Sequence, residues 1–132
     1  GRDIVSFAIG RHNNNQLVFE TFDLAIQKYP DAHPLFHSDR GFQYTSKQFK
    51  AKLDKQGMRQ SMSRVGRCID NGPMEGFWGI LKCEMYYLNH FETYEELVTA
   101  IEQFVHYYNY QRRQHKLNCL PPATYRNLLE AA

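Results

Sequence analysis

The sequence has no long hydrophobic run and little cysteine, and each shortage rules something out. No apolar stretch approaches the ~20 residues that cross a bilayer, and no signal-peptide pattern opens the chain. A membrane partner is therefore not expected. Cysteine occurs three times, at Cys68, Cys83 and Cys119. An odd number, widely spaced and without a CxxC or Cys/His pairing, argues against both a disulfide framework and a structural zinc site. Reduced thiols in a cytosolic protein are the expectation. The first residue is not methionine, which gives the expectation that upstream sequence has been removed. Repeats, low-complexity tracts and linker-like stretches are missing too. The 132 residues read as one domain, 1–132, able to bury roughly two thirds of its unfolded surface.

Neither sign of charge dominates, since 16 Lys and Arg face 14 Asp and Glu for a formal net charge of +2. Composition alone does not announce nucleic-acid binding, but the distribution of charge is uneven. Arg59, Arg64 and Arg67 lie in a stretch without an acid, and Arg112, Arg113, His115 and Lys116 form a second basic cluster. Either group fits a phosphate contact about as well as a solvated surface.

Ile4-Val5-Ser6-Phe7-Ala8-Ile9 is a short apolar run closed by Gly10 and Asn13-Asn14-Asn15, and reads as a mostly buried strand. From Gln16 to Tyr29 the period becomes helical, with Val18, Phe22, Ile26 and Tyr29 on one face. Leu35 to Ser38 is a second strand, ending at Asp39-Arg40-Gly41. Thr45 with Gln48 predicts a capping box opening a helix that buries Phe49 and Leu53 and stops at Gly57. Contact between Met58 and Leu53 would complete a Schellman ending. Gln60 to Ser63 is a weak third strand, and Arg64 to Gly72 a loop.

Pro73 suits a first helical turn, with Asn71 or Gly72 as cap, and the helix runs to about Tyr87. Its inward stripe is predicted as Met74, Trp78, Leu81 and Met85. Thr93 with Glu96 caps a long helix whose core face is Leu97, Ile101, Phe104, Val105 and Tyr108. Pro121-Pro122 opens a last helix to about Leu129. Strands alternating with helices, then helices alone, predict an α/β domain with a helical tail.

Two acids stand out by position. Asp39 follows a strand and precedes a glycine, and Glu75 sits in the first turn of a helix, where the helix dipole favours a carboxylate. Strand ends and helix starts on one side of an α/β sheet form ligand crevices. Two bare carboxylates ~4 Å apart repel by ~4 kcal/mol at an effective dielectric of ~20, and a divalent cation reverses that. Mg²⁺ takes few carboxylates and completes its shell with water and substrate phosphate. Lys82, seven residues beyond Glu75, falls on the same helical face. Gly76 and Gly79 lie on or beside that face, suggesting close approach by DNA or another helix. On these features alone, surface acids or caps remain the plainer reading of Asp39 and Glu75.

The order of short blocks carries more weight. His37-Ser38-Asp39-Arg40-Gly41, Gln43-Tyr44, Asp70-Asn71, Met74-Glu75, Phe77-Trp78 and Leu81-Lys82 occur in sequence, followed by Tyr107-Tyr108-Asn109, Arg112, Leu117 and Pro121-Pro122-Ala123. Across essentially the whole chain this resembles the OrfB-type insertion-sequence transposases, which are similar to retroviral integrases. The resemblance implies an RNase H-like integrase catalytic core with an Asp-Asp-Glu triad, its last two acids 35 residues apart. Asp39 would then be the second acid and Glu75 the third, with Lys82 facing the transposon end. Arg64, Arg67, Arg112 and Arg113 become candidate DNA contacts. The implied chemistry is Mg²⁺- or Mn²⁺-dependent cleavage at transposon ends and strand transfer into target DNA, in the bacterial cytoplasm.

One departure accompanies the match. The family's first Asp lies on the first strand of its core. Asp3, in Arg2-Asp3-Ile4-Val5, instead resembles the opening of the third strand. The expected fold is a partial core missing its first two strands, with a C-terminal helical tail, and unable to catalyse strand transfer alone. An exposed edge on the remaining sheet predicts a homo-oligomer or a rearranged partial sheet. The competing reading is a non-catalytic DNA-binding or oligomerisation fragment of a degraded element. A cellular ribonuclease H or resolvase fits the Asp70-to-Lys82 block less well. Other residues have plainer readings: His37 as a buried, hydrogen-bonded strand histidine, and Tyr86, Tyr87, Tyr107 and Tyr108 as core or rim rather than base-stacking platforms.

Overall fold

The computed structural model describes residues 2–67, 70 and 72–132. They group into two compact units, Ser6–Gly72 and the residues up to Val5 together with Pro73–Ala132. Cys68 and Asn71, named above as a thiol and a candidate cap, lie outside the described residues.

In the Ser6–Gly72 unit, helix α1 spans Asn15–Lys28. It begins one residue earlier than the periodicity suggests because the Asn14 side chain accepts from the Leu17 N–H at 2.9 Å, capping one of the orphan donors of the first turn. Strand β1, Phe36–Ser38, pairs in parallel with β2, Gln60–Met62, in the register Phe36↔Gln60, His37↔Ser61, Ser38↔Met62. Leu35, expected in β1, stands outside it and is exposed. A short helix α2, Phe42–Thr45, precedes α3, Lys47–Lys55.

The capping box expected at Thr45 is not formed. Ser46 caps α3 instead, accepting from the Phe49 N–H at 3.2 Å, while the Thr45 hydroxyl turns back to the Phe42 carbonyl. The Schellman ending holds. Gly57 is left-handed at φ 66°, the Met58 N–H donates to the Leu53 carbonyl at 3.0 Å, and the Gly57 N–H to Asp54 at 3.0 Å.

The core of this unit is aromatic. Phe49 is fully buried, with ring centroids of Phe36, Phe22, Tyr44 and Phe19 5.1–6.1 Å away. Phe22 and Leu53 complete the buried centre, so α1 and α3 both press on the sheet side that carries Phe36.

The predicted strand over Ile4–Ile9 is not a strand. A strand needs a neighbour to satisfy its alternating N–H and C=O groups, and the one sheet among the described residues is the β1–β2 pair. The Ser6 hydroxyl donates to the Thr21 carbonyl of α1 at 2.8 Å. Ile4 belongs to the other unit. Its N–H donates to Asn109 Oδ1 at 2.7 Å and its carbonyl accepts from Asn109 Nδ2 at 2.8 Å. A side-chain amide thus supplies the two bonds that a neighbouring strand would have made.

The second unit is helical. Helix α4 spans Gly72–Leu81 and passes into a five-residue π-turn, Lys82–Tyr86, closed by the Tyr87 N–H on the Lys82 carbonyl at 2.8 Å. Helix α5, Tyr94–Tyr110, starts at Thr93, whose hydroxyl accepts from the Glu96 N–H, while Glu96 reaches back to the Glu92 N–H. Helix α6, Pro122–Ala131, follows a 3₁₀ turn at His115–Leu117.

The inward stripe of α4 differs from the prediction. Phe77, Leu81 and Met85 are buried, whereas Met74 and Trp78 are 42% and 47% exposed. Because α4 is apolar nearly all round, its period allowed two stripes sharing Leu81 and Met85. The one chosen puts the Phe77 ring 5.0 Å from Tyr108 and 6.4 Å from Phe104 on α5. Phe104, Val105 and Tyr108 are buried as predicted. Cys83 and Cys119 are free and exposed.

Candidate catalytic acids and their surroundings

Asp39 stands where β1 ends, and the residues around it explain the run His37-Ser38-Asp39-Arg40-Gly41. The Ser63 N–H donates to the Ser38 carbonyl at 2.8 Å, extending the parallel pairing one step beyond β2. Arg40 Nε donates to the Ser63 carbonyl at 2.9 Å, tying the chain after β1 to the chain after β2. His37 spans two serines of the neighbouring strand, with Nδ1 3.0 Å from Ser61 Oγ and Nε2 3.3 Å from Ser63 Oγ. Its ring is hydrogen-bonded as expected but exposed rather than buried. A cross-strand contact of that kind stiffens the strand end.

The Asp39 carboxylate is exposed, and its Oδ1 accepts from the Gly41 N–H at 2.8 Å. Its Oδ2 has no hydrogen-bond partner among the described residues. Tyr44 lies close by: burial first, then the Asp39 charge, push its phenol above the ordinary tyrosine range. Glu75 is exposed in the first turn of α4, and Lys82 is exposed where α4 passes into the π-turn. Asp39 belongs to the Ser6–Gly72 unit and Glu75 to the other. Among the described residues no cluster of three or more His, Cys, Asp or Glu side chains forms a metal cage. The donor chemistry nonetheless fits a hard cation, since both candidates are exposed carboxylates.

The arginines proposed as DNA contacts divide. Arg64 makes a fork on Asp70: Nε to Oδ2 at 2.9 Å, an Nη to Oδ1 at 2.8 Å, and the Arg64 backbone N–H to Oδ2 at 3.0 Å. Those bonds hold the Asp70 carboxyl well below the usual carboxylate range. Arg112 is likewise engaged, with Nε 2.9 Å from both Glu84 oxygens and an Nη at 2.7 Å. It braces the π-turn against the end of α5. Arg67 and Arg113 are exposed and show no ion pair among the described residues. Sequence reading missed the partner of Arg64 because Asp70 lies just beyond the acid-free stretch. The spacing of Arg64 and Asp70 across a turn was the available signal.

Gly76 and Gly79 have open space where a Cβ would stand, so no described part of the chain is the close neighbour expected there. Asp3 is also accounted for. Its carboxylate meets Arg126 at 2.6 Å with little exposure, an ion pair that anchors the segment bearing Ile4. No helix among the described residues is long and apolar enough to cross a membrane.

The integrase core domain family matches residues 1–68 and again residues 75–128. An uncharacterized transposase-like protein of Haemophilus influenzae is 40% identical over 124 residues, covering 94% of this chain and 57% of that protein. The putative transposase InsK for insertion sequence element IS150 of Escherichia coli is 38% identical over 126 residues, 95% of this chain and 44% of its own. The transposase InsF for insertion sequence IS3A of the same species is 30% identical over 129 residues, at 96% and 44%. The chain thus spans about half the length of the curated relatives it matches. No solved structure matches it significantly.

Proposed function

Because the chain belongs to the integrase-core family of insertion-sequence transposases, we propose that it supplies two of the three acids of a polynucleotidyl transferase, Asp39 and Glu75. A helix-rich chain with a small parallel sheet is consistent with the RNase H-like fold of that family. In this reading residues 1–132 are the later part of one catalytic core, whose first two strands and first Asp come from elsewhere in the whole protein. The engagement of Asp3 by Arg126 supports assigning the first acid to another residue.

The observation that carries the proposal is Asp39 itself. It is an exposed carboxylate at the end of a parallel strand, with one oxygen hydrogen-bonded to the backbone and the other without a hydrogen-bond partner among the described residues. Asp39 and Glu75 would hold Mg²⁺ or Mn²⁺. When bound, such ions activate a hydroxyl nucleophile and stabilise the leaving oxygen of an in-line phosphoryl displacement. The chain's own contribution is positional. Arg40 and His37 fix the strand end from which Asp39 projects, and α4 presents Glu75 at its positive end. Lys82, with Arg67 and Arg113, offers cations to the phosphates of transposon-end and target DNA. Arg64 and Arg112 reach DNA in this scheme only with the outer faces of guanidinium groups already bound to Asp70 and Glu84. Self-association belongs to the proposal for the whole protein, as two transposon ends must be joined.

Calorimetric titration with Mn²⁺ tests the reading. Weak binding is expected, abolished by Asp39→Asn and strongly reduced by Glu75→Gln, with no strand transfer by this chain alone. Absence of binding, even in a protein with the upstream strands restored, would instead favour a non-catalytic DNA-binding or oligomerisation role.

A further inference from the structure

The glycine after Arg40 is not explained by its backbone. Gly41 has φ −55° and ψ 146°, a conformation open to every residue. What excludes a side chain there is the Asp39 carboxylate. A Cβ built on Gly41 would stand 2.9 Å from Asp39 Oδ1, 3.4 Å from Tyr44 Cδ2 and 3.5 Å from Gln43 Oε1. Carbon and oxygen do not pack that closely, so a methyl group at this position must displace the carboxylate. The same oxygen accepts the Gly41 N–H at 2.8 Å. Absence of a Cβ and presence of a donor thus act on one atom.

We infer that Gly41 is a positioning residue for Asp39, committing Oδ1 to the backbone so that a cation is met through Oδ2 alone. The inference rests on the reading of Asp39 as a metal ligand. It also specifies the kind of cation. Single-oxygen coordination suits a small ion with octahedral demands, Mg²⁺ or Mn²⁺, whereas Ca²⁺ accepts bidentate carboxylates in a looser shell. Tyr44 contributes from the other side of the turn. Its ring packs on Phe49 at 5.6 Å and on Phe36 at 6.1 Å, so the wall beside Gly41 is tied to the core of the unit.

Two measurements on the full chain test this. The first is titration with Mn²⁺ and Ca²⁺ of wild type, Gly41→Ala and Asp39→Asn, with thermal melts of each. Gly41→Ala should melt like wild type, since its backbone angles are ordinary. Its Mn²⁺ affinity should fall roughly tenfold, about the worth of one charge-assisted hydrogen bond, with Ca²⁺ affinity little changed. The second is amide hydrogen exchange at Gly41. Protection is expected in wild type and in Asp39→Asn, whose side-chain oxygen still accepts, and its loss in Asp39→Ala. Unchanged Mn²⁺ affinity and Mn²⁺/Ca²⁺ ratio in Gly41→Ala, alongside abolished binding in Asp39→Asn, would overturn the inference but leave the metal reading standing. So would an unprotected Gly41 amide in wild type. Asp39→Asn binding Mn²⁺ as wild type does, or no binding by wild type even with the upstream strands restored, would overturn both.

Discussion

Asn109 offers the sharpest test of how the helical unit is held together. Its side chain is buried, 6% exposed, and both of its polar ends are spent on the backbone of Ile4, 105 residues away. Each bond contributes about 0.5–1.5 kcal/mol net, and truncation leaves a partly buried N–H and C=O without partners. Asn109→Ala should therefore cost about 2–3 kcal/mol, the upper half of the sum. In amide exchange, a loss of about 2 kcal/mol accelerates opening at Ile4 roughly 30-fold. The neighbouring Asp3–Arg126 pair keeps the segment from leaving altogether.

Asn109→Asp separates the two bonds. The acceptor survives, but a carboxylate oxygen now faces the Ile4 carbonyl where a donor stood. The folded state disfavours the charged form, so the folded pKa of the introduced acid lies above its unfolded value near ~3.9. Its stabilising contribution is present below that value, where the acid O–H donates to the carbonyl, and is lost as pH rises through the folded pKa. Urea unfolding of both variants at pH 3.5 and pH 7, with Ile4 exchange followed by NMR, decides the matter. A cost under ~0.5 kcal/mol for Asn109→Ala, with Ile4 exchange unchanged, refutes the two-bond anchor.

Phe49→Ala should cost about 3–5 kcal/mol, since the fully buried ring meets four other aromatics, whereas Trp78→Ala at a half-exposed position should cost under about 1; paired urea titrations compare them. Asp70 is held below its ordinary range by Arg64, so the fork's contribution is present above the unfolded carboxyl pKa and lost as pH falls through the folded one. The Arg64 Nε–H resonance should stay in its bonded position at pH 5 and shift only in strong acid. Arg113→Ala should leave stability unchanged and lower the salt slope of DNA binding by about one, while Arg112→Ala, which strips Glu84 of its partner, should lose up to about 1 kcal/mol of stability. Fluorescence anisotropy across a salt series, with parallel melts, distinguishes the two arginines.

Much of this arrangement was legible in the sequence, for physical reasons that can be named. The ending of α3 followed from one glycine, because the left-handed Gly57 and the Met58–Leu53 bond are both local. The α5 core face followed from period alone. Signals that competed locally were lost: Ser46 won the cap from Thr45 by one position, and a helix apolar all round could not reveal that Phe77 rather than Trp78 turns inward. At the candidate site, the run from His37 to Gly41 was visible as a motif. Its internal logic was not, because the serines that His37 spans and the carbonyl that Arg40 ties lie more than twenty residues on, across a strand pairing.

The edge of β1 shows how far the expectation of self-association can be carried. The Phe36 N–H bonds to Arg59 and the Ser38 carbonyl to Ser63, so residues 36 and 38 turn their polar groups toward β2. In a parallel pair the residue between them faces the other way, which leaves the N–H and C=O of His37 at the outer edge. One such pair in an edge-to-edge dimer contributes about 1–3 kcal/mol. Association costs at least about 4 kcal/mol in lost motion, so this three-residue edge cannot hold two copies together. Among the described residues Ile4 is drawn onto Asn109 instead of into a ladder. Any dimer found by sedimentation should therefore leave the His37 amide exchanging as fast as in the monomer. Protection of that amide on dimerisation would show that the edge, short as it is, has found a partner strand.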